Sequence, residues 1–149
     1  MTDKPLMILY AEDSPIDRLL FEEAMGETDF DFNLRFVADG QELIDYLQHS
    51  GQYADPASAP KPDLILADIN LPRKNGDKAL IEIKGDPLLR AIPVIIFSAL
   101  EDERGIYRLY DLGAILFIPK PESFDSFEPM VREIGEYWTK TARLPRQRL

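Results

Sequence analysis

Short apolar runs separated by helix-like segments constrain this chain more than any other feature. Residues 6–11 (LMILYA), 63–67 (DLILA), 92–97 (IPVIIF) and 114–118 (AILFI) are apolar without polar alternation. That is the pattern of strands covered on both faces in a parallel sheet. Residues 32–37 are more polar and suit an edge strand. Between these runs, apolar residues recur every three or four positions. Ile16, Leu19, Leu20 and Ala24 share a face behind Ser14 as N-cap and Pro15 at the first helical position. Leu43, Ile44 and Leu47 form a second face, and Leu80 and Ile83 a third within residues 76–84. Residues 101–112 read as a helix stopped by Gly113. The last segment carries Phe127, Val131, Ile134 and Trp138. A start near Asp125 or Ser126 tolerates Pro129, because the first N–H groups of a helix have no intrahelical acceptor. Strand and helix alternating five times predict a doubly wound α/β domain: a five-stranded parallel sheet with helices on both faces and the ligand crevice at the carboxyl ends of the strands.

Composition removes most chemistries. The 149 residues, 45% hydrophobic, suffice for one domain with a real core. With no cysteine there is no disulfide, thiolate zinc site or cysteine nucleophile. The lone histidine, His49, excludes paired-histidine metal sites and reads as a solvated residue at a helix end. A net charge of −10 disfavours nucleic acid and anionic membrane surfaces. No apolar run approaches the roughly 18 residues of a membrane span, and the start is too short for a signal-peptide core, so a cytoplasmic protein is expected. No acid follows Glu136, while Lys140, Arg143, Arg146 and Arg148 do; without those four, 13 basic residues face 27 acidic ones and the remainder carries −14. The expected division is a body over residues 1–138 and a basic C-terminal tail or dimer arm over 139–149. Residues 51–62 form a Pro/Ala-rich loop, an insertion opposite or beside the chemistry.

The residues just after each apolar run are then the candidates. They are Glu12 and Asp13 after the first, Asp68 after the third, Ser98 after the fourth and Lys120 after the fifth. Like charges gathered at one crevice require a cation, and hard carboxylate oxygens point to Mg2+, with Glu12, Asp13, Asp68 and the backbone carbonyl of Asn70 as its ligands. Such a set suits phosphoryl chemistry, which rests on charge neutralisation and positioning. Asp68 is the candidate nucleophile, accepting phosphate as an acyl phosphate. Lys120 neutralises either the phosphoryl group or that carboxylate, and Ser98 donates to a phosphoryl oxygen.

With these residues in place, the chain resembles the response-regulator receiver domain of two-component signalling. The resemblance rests on Glu12-Asp13-Ser14, Asp68-Ile-Asn-Leu-Pro72, Asn75-Gly76, Ser98-Ala99 and Lys120-Pro121, in order at the strand ends, and spans residues 6–138. It implies a CheY-like, flavodoxin-like (βα)5 sandwich of strand order 2-1-3-4-5. It also implies Mg2+-dependent phosphoryl transfer from a sensor histidine kinase to Asp68, with a switch shared by Ser98 and Phe117 and a cis Lys120–Pro121 bond. Phe117 lacks the hydroxyl that many receivers carry there, so packing must serve that half of the switch. The 51–62 loop, the 86–93 segment and the ending with Tyr137-Trp138 resemble single-domain receivers that partner phytochrome-type kinases. Such receivers often form homodimers through the fourth helix, fifth strand and fifth helix, with an extended C-terminal arm, and the resemblance implies the same here.

Plainer roles stand beside these. Ser98 also suits an N-cap for the helix near Glu101, and Phe117 suits simple core packing. The basic tail is equally a solubilising terminus. At the level of function, the alternatives to a signalling module are a non-phosphorylated dimeric scaffold with the same fold and an aspartate-nucleophile phosphohydrolase. The latter carries its Asp-x-Asp after the first strand, whereas the best nucleophile here follows the third.

Overall fold

The computed structural model describes residues 5–99, 102–121 and 123–144. Five strands, β1 (Leu6–Ala11), β2 (Phe32–Val37), β3 (Leu64–Asp68), β4 (Val94–Ser98) and β5 (Leu116–Pro119), form one parallel sheet of order β2-β1-β3-β4-β5. The helices α1 (Pro15–Gly26), α2 (Gly40–Gln48), α3 (Gly76–Gly85), α4 (Glu103–Asp111) and α5 (Phe124–Glu136) alternate with them. The doubly wound α/β architecture and strand order are as expected.

The unalternating strands serve two cores. Leu9, Ala11, Ile65, Ala67, Val94 and Ile96 join one cluster with α2, α3 and Leu109 of α4. Their neighbours Ile8, Tyr10, Leu64, Leu66, Ile95 and Phe97 join a second with α1 and α5. Because successive side chains of a strand point to opposite faces, both sets must be apolar when both faces are covered. Edge strand β2 alternates between exposed Asn33 and Arg35 and half-buried Phe32, Leu34 and Phe36.

Local signals explain the boundaries. The Ser14 side chain accepts from the Asp17 N–H, with Pro15 next in the chain, opening α1 as expected. Asp102, not Ser98, caps α4 by accepting from the Arg104 N–H; residue 101, where that helix was expected to begin, lies outside the described residues. Gly113 follows α4 at φ 113°, a conformation open chiefly to glycine. Helix α5 starts at Phe124, one residue before the expected range, which makes Pro129 its sixth residue rather than part of the free first turn. Pro129 therefore forfeits an interior hydrogen bond, and the burial of Phe127, Val131 and Ile134 offsets the loss.

Residues 51–62 are more ordered than a loop: they form two 3-10 turns, Gly51–Tyr53 and Pro56–Ser58. Tyr46 Oη donates to the Pro60 carbonyl at 2.8 Å, and the His49 ring bonds the Ala59 carbonyl at 2.9 Å. The segment leads into β3 and so lies away from the strands' carboxyl ends. Beyond α5 a π turn covers Tyr137–Thr141, crossing the expected 138/139 division, and Ala142 and Leu144 pack on the α1/α5 core. The remainder of the tail, 145–149, lies outside the described residues.

Candidate phosphoacceptor site

Glu12 follows β1 directly and is buried, its N–H donating to the Val37 carbonyl at 3.0 Å. Asp68 is the last residue of β3, one position later than the expected strand end, and is also buried. Lys120 follows β5, and its N–H donates to the Ser98 carbonyl at 3.0 Å. From there its side chain reaches three carboxylates, with Nζ 2.7 Å from each of Glu12 Oε1, Asp17 Oδ2 and Asp68 Oδ2. The described peptide bonds, Lys120–Pro121 included, are trans. The cis bond implied by the resemblance is therefore absent: the four-carbon stem of Lys120 reaches the carboxylates without it, and trans is favoured by about 0.5–1 kcal/mol.

Other expected residues stand around this centre. Asp13 is exposed beside Glu12. Asn70 is exposed, and its N–H donates to Asp68 Oδ1 at 3.0 Å, fixing the second oxygen of that carboxylate. Ser98 ends β4 fully buried. Phe117 sits half-buried on β5 against the α2/α3/α4 core, with its N–H donating to the Tyr110 hydroxyl at 3.0 Å. Gly76 opens α3 so close to β3 that a Cβ there would lie 2.5 Å from the Asp68 carbonyl oxygen.

Two participants were not anticipated. Tyr10 is fully buried in β1, and its hydroxyl donates to Glu12 Oε1 at 3.3 Å, beneath the site. Its signal in the sequence is that of a core aromatic, and it packs as one against Phe21, Phe36 and Phe97. Asp17 shares the Lys120 ammonium, yet an acid in the first turn of a helix reads simply as a complement to the helix dipole.

Burial pushes the Glu12 carboxyl above its ordinary range; hydrogen bonds from Lys120 and the Ser14 N–H oppose this without cancelling it. Burial also works against the Lys120 ammonium, but its hydrogen bonds to Asp17, Asp68 and Glu12 outweigh that and hold it above the usual lysine range. Desolvation, reinforced by the Glu12 charge, raises the Tyr10 phenol, so it stays a proton donor.

Among the described residues no three acids or imidazoles form a ready-made metal cage. The donor set nonetheless fits a divalent cation. Three carboxylates around one ammonium leave two negative charges uncompensated, before Asp13 is counted. Hard oxygen donors with excess negative charge are what such ions require.

Comparison with known proteins agrees with this geometry. The family model described as the response regulator receiver domain matches residues 8–132. Response regulator Rcp1 of Synechocystis is 33% identical over 144 residues, covering 97% of this chain and 96% of that one. The phosphorylated cyanobacterial phytochrome response regulator RcpA superposes with a TM-score of 0.88 at 38% identity, covering 96% of this chain and all of its own. The Mn2+-bound form of Rcp1 gives a TM-score of 0.86 at 34% identity, covering 95% of this chain and all of its own. That relative thus binds a divalent cation. The fold, the carboxylates at the strand ends and the lysine that joins them place this chain in the response-regulator receiver family.

Proposed function

We propose that this protein accepts a phosphoryl group on Asp68 from the phosphohistidine of a sensor histidine kinase of phytochrome type, and that the acyl phosphate alters its surface for signalling. The observation that carries the reading is Lys120 Nζ at 2.7 Å from Asp68 Oδ2, at the carboxyl end of the sheet. A buried carboxylate with a fixed cation beside it can receive phosphoryl charge without rearrangement. Glu12, Asp13, Asp68 and the Asn70 carbonyl would hold Mg2+, which supplies further neutralisation of the phosphoryl oxygens. Ser98 and Phe117 read the modified state on β4 and β5. The likeness to RcpA, a cyanobacterial phytochrome response regulator, supports the phytochrome link.

In this reading the protein is a cytoplasmic signalling module with slow self-dephosphorylation as its sole turnover, built as a receiver over residues 1–138 with an arm over 139–149. Among the described residues no helix is long and apolar enough to cross a membrane. A second copy is the proposed partner of the α4–β5–α5 face and the arm. Tyr107 and Tyr110 of α4, with Ile115 and Leu116, are exposed there. The buried Trp138 indole N–H, at the root of the arm, finds no acceptor among the described residues.

Phosphotransfer from labelled histidine kinases tests the reading. With Mg2+, label should pass from a phytochrome-type kinase to the wild-type chain and not to Asp68→Asn, and chelation by EDTA should abolish transfer. Transfer to Asp68→Asn would contradict the assignment of the acceptor. Retention of label on every phytochrome-type kinase, with transfer from another class, would contradict the partner.

A further inference from the structure

An ammonium has three N–H donors, and the structure gives Lys120 three carboxylates at 2.7 Å. Their roles differ. Asp68 is itself the group that changes on phosphorylation, so its attraction for Lys120 is not constant through the reaction. Glu12 and Asp17 keep their charge-bearing groups throughout. Both belong to one corner of the molecule, Glu12 at the end of β1 and Asp17 in the first turn of α1, where the Asp17 N–H donates to Ser14 Oγ at 3.2 Å. That corner is braced further by Arg18, whose Nε donates to the Glu12 carbonyl at 2.6 Å while its guanidinium lies over Phe36. Lys120, in contrast, extends from the edge strand β5 on a flexible stem.

An isolated surface ion pair contributes little, because ordering two long side chains offsets its Coulomb gain. Asp17 is differently placed. Its side chain is 24% exposed, that of Lys120 is 18% exposed, and the lysine is already ordered by two other carboxylates. A third anchor then adds little entropy cost and removes much of the remaining freedom of the ammonium.

We propose that Asp17 is a positioning residue for phosphoryl acceptance, which together with Glu12 tethers the Lys120 ammonium beside the Asp68 carboxylate before the phosphoryl group arrives. The inference rests on Asp68 being the phosphoacceptor. In transfer from acetyl phosphate, the bond from phosphorus to the acetate oxygen breaks and a bond from phosphorus to an Asp68 carboxylate oxygen forms. Acetate leaves with the electron pair, and no proton or oxidant is needed. The charge on the transferring group then meets an ammonium whose location does not depend on Asp68.

The test compares wild type, Asp17→Ala and Asp17→Glu for the rate of modification by acetyl phosphate with Mg2+, alongside the 15N signal of the Lys120 ammonium. Circular dichroism confirms folding. The expected result is a loss of about tenfold in rate for Asp17→Ala, with broadening or loss of the ammonium signal, and recovery of most of both in Asp17→Glu, whose longer carboxylate still reaches Nζ. Wild-type rate in Asp17→Ala would overturn the inference. So would a faster rate, which would mean that Asp17 acts by repelling the anionic donor. Equal slowing of both variants would overturn it too, by placing the effect in the helix start rather than in the tether. An unmodified wild type would overturn the acceptor reading itself, and the tether with it.

Discussion

Asp39 shows how a single carboxylate holds the loop that follows Asp68. It caps α2, accepting from the Glu42 N–H at 2.7 Å, and its other oxygen accepts from Arg73 Nε at 2.9 Å. Arg73 lies in that loop at φ 62°, a left-handed conformation that costs a non-glycine residue about 1 kcal/mol or more and so needs holding. Burial raises the Asp39 carboxyl, but the bonds from Arg73 and the Glu42 N–H outweigh it, leaving the group below its ordinary range. The sign follows: this contribution to stability is present above the ordinary value near ~3.9 and is lost as pH falls through the lowered one. A carboxyl NMR titration should therefore give Asp39 a midpoint below ~3.9, and Arg73→Ala should move it upward. An unshifted midpoint in wild type would contradict the clamp. Glu12 has the opposite sign, its raised value meaning that the fold favours its protonated form until pH climbs through that value. At this scale the sequence revealed the residues that end strands and concealed those that support them. Glu12, Asp68 and Lys120 stand where an apolar run stops. Tyr10 is hidden inside such a run, and Asp17 inside a helix turn where acids are ordinary.

Among elements, β3 and β5 carry the two ends of the proposed site, Asp68 and Lys120. Asp68, the proposed acceptor, is the final residue of β3 rather than a loop residue, so its backbone is paired to β4 opposite Phe97. Edge strand β5 brings Lys120 across, and with α4 it exposes Tyr107, Tyr110, Ile115 and Leu116. If this face binds a second copy, Tyr107→Asp should weaken association about tenfold or more in sedimentation while leaving the fold intact, since Tyr107 is 74% exposed. An unchanged dimer, or a wild type that stays monomeric at high concentration, would contradict that role. The elements were legible because parallel strands covered on both faces are apolar at every position, a signal that survives without alternation. Their ends were less so. β5 begins at Leu116 rather than Ala114, because the Ala114 N–H is spent on the Leu109 carbonyl in closing α4. The 51–62 segment reads as an irregular loop because 3-10 turns have no apolar period; side-chain bonds from Tyr46 and His49 order it.

The whole molecule distributes a net charge of −10 unevenly. Part of the acidity is concentrated at one end of the sheet, where Glu12, Asp17 and Asp68 share one lysine. In the proposed reaction that excess of negative charge would be offset by a divalent cation before phosphoryl charge is taken up. The lone histidine is occupied at the far end of α2, bonded to the Ala59 carbonyl, so the phosphohistidine in the proposed reaction belongs to the kinase. The central claim is that Asp68 is where the phosphoryl group goes. Treatment with acetyl phosphate and Mg2+, followed by borohydride reduction and peptide mass mapping, tests it directly, because reduction converts an aspartyl phosphate to homoserine. The expected result is one phosphoryl group per chain and homoserine at position 68 alone, with Asp68→Asn unmodified; an unmodified wild type, or homoserine at any other position, would contradict the account.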